Sequence, residues 1–269
     1  MTPGDGVSPT TPGDGVSPTT PGWAAAIAAS AHVFVAELPD TLELDGDDAH
    51  HLNRVLRLRG GEVVTAADGA GRWRPYVVTA GAQLEATGPE QREPDLQPRL
   101  AIAFALTKGD KPELAVQKLT ELGADRILPV LAERSIARPE PARAAAQGQR
   151  WRRVAREAGR QCRRARLPEV ADLAPLASLA GHPGLVVAER GGAPLAALPA
   201  GIGDEMLIVT GPEGGLTDAE VELLGPVFRF GLGPHILRAE TAAMAAAAVV
   251  AGLRDSRPRA AGADAGQPG

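Results

Sequence analysis

The chain has 269 residues, 44% of them apolar, enough for one large core or two small ones, so wholesale disorder is excluded. Its 28 basic residues are outnumbered by 33 acidic ones and the net charge is -5, which excludes a global cationic field; any polyanion must be met locally. A single cysteine, Cys162, excludes an internal disulfide, and five scattered histidines offer no structural zinc spacing. The expectation is a cytoplasmic protein without a metal.

In chain order, residues 1–31 come first. TPGDGVSPT stands at residues 2–10 and again at 11–19, a short repeat with too few apolar side chains to offset chain entropy, expected to be disordered. The following WAAAIAASAH lacks the basic leading region of a secretory signal, because no Lys or Arg precedes Arg54. Residues 32–94 alternate short strand-like runs (HVFVAEL, TLEL, EVVTAADG, RWRPYVV, QLEAT) with turns, and 68–71 is a hairpin signal. A small β-barrel domain is expected. Its helix-like insertion, DDAHHLNRVLRLRGGE, leaves Arg54 and Arg57 at solvent, where they either contact RNA phosphate or form a hydrated surface.

TGPEQREPDLQP, residues 87–98, replaces the apolar pattern with proline and charge and marks the domain boundary. Over residues 95–254, strand-like runs (LAIAFAL, RILPV, GLVVAE, EMLIVTG) alternate with helix-like ones, including a long helix near 143–166 and an alanine-rich helix from about Glu240. That alternation predicts an α/β domain with a mostly parallel sheet. The run at residues 242–251 falls well short of the ~20 apolar residues of a membrane span, and residues 255–269 are expected to be a disordered tail.

Residues 99–166 hold 16 basic and 7 acidic side chains. Lys108, Lys111 and Lys118 are the chain's only lysines, gathered in a window of a protein that otherwise uses arginine. Helical spacing in RWRRVAREAGRQCRRAR puts Arg153, Arg156, Arg160 and Arg164 on one stripe opposite Trp151, Val154, Ala158, Cys162 and Ala165. The stripe is either a phosphate-binding face or a hydrated one.

VTGPEGGLTDAE places Gly211, Gly214 and Gly215 after a strand, and Thr217 with Glu220 has capping-box spacing, so the loop opens a helix. It is neither a GxxxxGK[ST] phosphate loop nor GxGxxG, which argues against ATP and NAD. A second glycine turn, at Gly231 and Gly233, precedes ILRAETA and the alanine-rich helix.

Five motifs in order, QKLTELGADRILPV, ERS, WRRVAREAGRQCRR, GPEGG and LGPHILRAETA, together resemble the bacterial 16S rRNA uridine-N3 methyltransferases, ribosomal small-subunit enzymes of the SPOUT class. The likeness runs from about His32 to Arg254. It implies a PUA-like β-barrel at 32–94, an α/β SPOUT domain at 95–254 with a C-terminal trefoil knot, S-adenosyl-L-methionine as cofactor, a homodimer, and 16S rRNA or the small ribosomal subunit as partner. Carried over residue by residue, the cofactor would be held by Thr210, Gly211, Pro212, Glu213, Gly214, Gly215, Leu232, Gly233, Ile236, Leu237, Arg238, Thr241 and Ala242. The family often has a basic residue before the ILR triplet; here Pro234-His235 stands there, and a neutral histidine still donates one hydrogen bond.

Methylation at uracil N3 requires alignment of the nitrogen lone pair, loss of the N3 proton and stabilisation of charge spreading to the flanking carbonyls. Arg238 is the candidate for that anion. Glu240 would accept the proton, orient Arg238, or simply cap a helix. Lys118 and Glu121, one turn apart, would pair and belong to the RNA-binding set, in which Lys108, Arg134 and Ser135 would meet phosphate or ribose. Competing readings are a SPOUT methyltransferase for another RNA position and a non-catalytic RNA-binding assembly factor.

Overall fold

A computed structural model describes residues 28–44, 58–79, 83–198 and 203–255. Arg54, Arg57 and the segments at 1–27 and 256–269 lie outside the described residues. Two sheets organise the rest. The first has six strands: β1 (Ala31–Phe34), β2 (Thr41–Glu43), β3 (Val63–Ala67), β4 (Arg72–Val78), β5 (Gln83–Ala86) and β6 (Gln91–Arg92). Their order is β1-β3-β4-β5-β2, with β6 also on β4, antiparallel except for β1 beside β3. The hairpin expected at 68–71 joins β3 to β4: the Asp68 carboxylate accepts from the N–H groups of Ala70 and Arg72 and from the Arg72 guanidinium. Val33, Val64, Ala66, Tyr76 and Leu84 fill the core.

The second sheet has seven strands, all parallel, as the alternating pattern predicts. Its main path is β10 (Ala174–Pro175), β8 (Arg126–Leu131), β7 (Arg99–Ala105), β12 (Glu205–Thr210), β11 (Leu185–Ala193) and β13 (Phe228–Phe230), with β9 (Glu169–Val170) beside β8. Alternation along β7 sends Leu100, Ile102 and Phe104 to one face and Ala101 and Ala103 to the other. The first face is covered by α1 (Lys111–Glu121), α2 (Pro141–Cys162) and α4 (Ala239–Asp255), through Val116, Leu119, Trp151 and Ala155. From α4 the buried stripe is Ala243, Ala246, Ala247 and Val250, so the alanine run brings its helix close to the sheet. The opposite face carries α3 (Asp218–Leu224) and a 3-10 turn at Leu176–Leu179.

The long helix ends at Cys162, four residues before the expected limit, because Arg163 adopts a left-handed conformation at φ 60°. Its arginine stripe corrects an expectation. Arg156 donates to the Phe34 carbonyl at 2.8 Å and lies 5.1 Å over the Phe34 ring. Arg164 donates to the carbonyls of Thr120 and Ala124 at 2.8 and 2.9 Å, and Arg160 pairs with Glu157. Three of the four therefore serve internal contacts, Arg156 tying the two sheets together, and only Arg153 of the stripe is exposed. Gly159 permits this joint: a Cβ there would sit 2.6 Å from Leu167 and 3.3 Å from the Phe34 ring. Cys162 is half-buried, and burial pushes its thiol pKa up, as suits a packing residue.

His32 seals the same joint. Its Nε2 donates to the Arg164 carbonyl at 3.1 Å and its Nδ1 accepts from the Thr65 hydroxyl at 2.8 Å, which fixes the neutral tautomer. Burial, aided by the charges of Arg163 and Arg160, lowers its pKa from 6.5 to about 4. The unfolded chain then binds the proton more readily, so this contribution is full above pH 6.5 and is lost as pH falls towards 4. It amounts to about 3 kcal/mol. Urea midpoints at pH 7 and 4.5 should differ more for the native chain than for His32→Gln; equal pH dependence would contradict the assignment.

Candidate functional site

In an all-parallel sheet the carboxyl ends of the strands share one edge, where loops converge to form a crevice. Lys108 follows β7, Arg134 follows β8, the Gly211–Gly215 loop follows β12, and the second glycine turn follows β13. Sequence positions more than a hundred residues apart are thereby brought together. The opposite edge carries structural charge, where Arg126 and His182 meet Glu205.

The first loop ends in the expected capping box: Thr217 Oγ1 accepts from Glu220 N–H, and the Glu220 carboxylate accepts from Thr217 N–H at 2.8 Å. The same carboxylate takes the Glu133 N–H at 2.6 Å, binding this loop to the one after β8. Gly215 has φ +72° and Gly233 φ +130°, conformations costly for any side chain, and around both the space beyond the backbone is open.

Between the two glycine turns lies a cleft of about 400 Å³, within the range of small-molecule sites. Of the residues expected to hold a cofactor, Gly211, Pro212, Glu213, Gly214, Gly215, Leu232, Gly233, Ile236, Leu237 and Ala242 line it. The other three do not. Thr210 is buried at the end of β12, with its hydroxyl turned towards the Ala103 carbonyl at 3.4 Å. Arg238 and Thr241 are exposed beside the cleft. Among the described residues the Arg238 side chain has no hydrogen-bond or ion-pair partner, which leaves its guanidinium available to a ligand. Ile236, at 78% the most exposed large aliphatic residue described, hangs at the rim as apolar surface for a ring to cover.

Sequence reasoning missed the third wall. Val187, Ala188, Glu189 and Arg190, on β11, line the cleft with Leu216, His235 and Ala239. The available signal was the Gly191-Gly192 pair directly after a strand-like run. Glu189 is engaged by Arg229.

Glu240 differs from expectation. Its side chain is 10% exposed and faces the Lys111 ammonium at 3.8 Å, and Oε2 is fully buried without a hydrogen-bond partner. It is turned away from solvent and touches Lys111 rather than Arg238.

The candidate RNA contacts divide. Lys108, Arg134 and Arg153 are exposed. Arg134 lies along Gly214 and donates to its carbonyl at 2.6 Å, bracing the first glycine loop. Ser135 is corrected: it is 5% exposed and its hydroxyl accepts from the Ala132 N–H, closing a turn instead of meeting ribose. Lys118 and Glu121 form the expected pair at 2.8 and 2.9 Å. They sit in the last turn of α1, which has run back to the amino edge of the sheet, away from the cleft. Among the described residues no cluster of acidic, histidine or cysteine side chains could hold a metal, and no helix is long and apolar enough to cross a membrane.

Comparison with known proteins places this geometry in context. Residues 94–251 match the model of an RNA methyltransferase domain, and residues 44–83 that of an RNA methyltransferase PUA domain. The chain is 34% identical to the ribosomal RNA small subunit methyltransferase E of Mycobacterium tuberculosis over 248 residues, 86% of this chain and 94% of that one. It is 32% identical to the protein of that name from Bacillus subtilis, over 80% of this chain and 91% of the relative. The crystal structure of the Neisseria gonorrhoeae ribosomal RNA small subunit methyltransferase E bound to S-adenosyl methionine superposes with a TM-score of 0.73, at 28% identity, over 83% of this chain and 97% of that one.

Proposed function

The chain belongs to the RNA methyltransferase family, within the ribosomal RNA small subunit methyltransferase E group, and from that premise we propose that it methylates N3 of one uridine in 16S rRNA. It is an S-adenosylmethionine-dependent rRNA methyltransferase of SPOUT type. The observation that carries this reading is the cleft between two glycine turns at the carboxyl edge of a parallel sheet, with an unpartnered arginine at its side.

The residues fit the cofactor. The backbone opens at Gly215 and Gly233, where no side chain could follow it easily, and Leu232, Leu237 and Ala242 supply apolar walls. Glu213 and Glu189 also line the cleft, their carboxylates held in place by Lys111 and Arg229. When bound, S-adenosylmethionine supplies an electrophilic methyl group. The chain itself holds the base. Arg238 sets its cation against the uracil carbonyl oxygen that takes up negative charge as the N3 proton leaves to solvent, and this stabilises the ring in the form whose N3 lone pair attacks.

Because N3 lies on the Watson–Crick edge, the target uridine must be unpaired or turned outward. Lys108, Arg134 and Arg153 would meet the surrounding phosphates, with Arg54 and Arg57 of the first domain extending the grip. On this reading residues 32–94 grip RNA and 95–254 carry out transfer. A C-terminal trefoil knot is part of the proposal and rests on the family resemblance. A homodimer working in the cytoplasm completes it and rests on the family resemblance.

In a strain lacking the gene, 16S rRNA should lose one N3-methyluridine, and the cloned chain should restore it. Restoration of a different methylated atom or position would replace the N3 assignment, and loss of no methyl group would favour an assembly factor.

A further inference from the structure

Lys111 breaks a local rule. It is the first residue of α1, where the helix presents its positive end and disfavours a cation. The preceding Asp110 makes no side-chain cap, and the acid of the first turn, Glu113, is taken by Arg150 at 2.7 Å. A residue placed against its helix dipole is held there by something outside the helix. Two carboxylates from distant parts of the chain do so: Nζ lies 3.3 Å from Glu213 Oε1 and 3.8 Å from Glu240 Oε2. Glu213 belongs to the first glycine loop and lines the cleft. Glu240 stands in the first turn of α4, between Ala239 and Ala242-bearing backbone of the other wall. Its Oε2 is buried with no hydrogen-bond partner, so the ammonium is the one charge the described structure offers it. Lys111 itself does not line the cleft.

We propose that Lys111 is a positioning residue for methyl transfer, tying the first glycine loop through Glu213 to the start of α4 through Glu240. It thereby fixes the separation of the two cleft walls and the placement of Arg238, two residues before Glu240. The proposal rests on the reading of the cleft as the S-adenosylmethionine site. It accounts for an ammonium at this position in a chain that otherwise uses arginine: a compact cation reaches two carboxylates without the planar fork of a guanidinium.

The test compares the full-length chain with Lys111→Gln, Glu213→Gln and the double variant. Calorimetry with S-adenosylmethionine, steady-state kinetics on small ribosomal subunits and thermal melting are the readouts. Lys111→Gln should weaken cofactor binding and lower kcat at saturating cofactor, each by about tenfold or more, since small misplacements of reacting groups are costly. The KM for the ribosomal substrate should stay unchanged, and the variant should still unfold in one cooperative transition, at a lower temperature because Glu240 loses the charge beside it, a split that loss of fold would not give. In the Glu213→Gln background the effect of Lys111→Gln on cofactor affinity should shrink, because both act through one bridge. Cofactor affinity and kcat within about twofold of native in Lys111→Gln would overturn the proposal alone, given the expected sensitivity to placement. Full additivity of the two substitutions would do the same. Absence of cofactor binding by the unsubstituted chain would overturn the cleft assignment and this proposal with it.

Discussion

Arg238→Ala should abolish most of the turnover while sparing the cofactor. Loss of one preorganised charge aimed at a developing anion costs about 10²- to 10³-fold in kcat. Arg238 is exposed, has no partner among the described residues and does not line the cleft, so its removal leaves the cofactor walls and the fold intact. Calorimetry should therefore return an S-adenosylmethionine affinity within about threefold of native, as expected for a group acting in the transition state and not in ground-state binding. Arg238→Lys should recover only part of the rate, because a point charge does not reproduce the guanidinium fork. Unchanged turnover in Arg238→Ala would remove the assignment.

The second large effect is expected at Gly192. Strand β11 (Leu185–Ala193) shifts register against β13, with both Ala188 and Ala193 facing Phe230. Within that irregularity a Cβ on Gly192 would lie 2.5 Å from the Phe230 carbonyl carbon and 2.7 Å from its Cα and nitrogen. These are backbone atoms, and Gly231, the next residue, is held by its N–H to the Ala193 carbonyl at 2.9 Å. Gly192→Ala must push β13 outward and with it the turn that leads into Leu232 and Gly233. An overpacked site of this kind costs about 3 kcal/mol, a fall in Tm of roughly 6–12 °C for a domain of this size. Cofactor binding should fall with it. Gly252→Ala is the control: it lies in α4 with nothing within 4 Å and should be neutral or slightly stabilising. A Gly192→Ala protein that melts and binds like the native one would mean that β11 and β13 are not packed as described.

Features written into short stretches of sequence were the legible ones. The capping box at Thr217 and Glu220, the 68–71 hairpin, the parallel sheet and the two glycine turns each follow from local spacing. So do ten of the cleft residues, once the family resemblance joined the two turns. What spacing cannot carry is the partner of a side chain. A helical stripe of arginines has the same period whether it faces phosphate or a neighbouring domain. Arg156 and Arg164 turned inward because Phe34, Thr120 and Ala124 offer them carbonyls, and none of these is near them in sequence. Ser135 went the same way, its hydroxyl closing a turn with Ala132. Glu189 and Arg190 were missed because β11 becomes a neighbour of the glycine loop only when it pairs beside β12. Glu240 was legible as a carboxylate opening a helix, but the charge that receives it comes from Lys111, more than a hundred residues earlier.

The central claim is that the two glycine turns form one receptacle, with Arg238 at its open side. A crystal structure of the chain grown with S-adenosylmethionine measures this directly. The account predicts ligand density between the backbone of residues 211–215 and residues 232–237, contacts from the end of β11, and the sulfonium methyl directed to the side where Arg238 stands. Density elsewhere on the chain, or a cleft closed by its own side chains at saturating ligand, would contradict it.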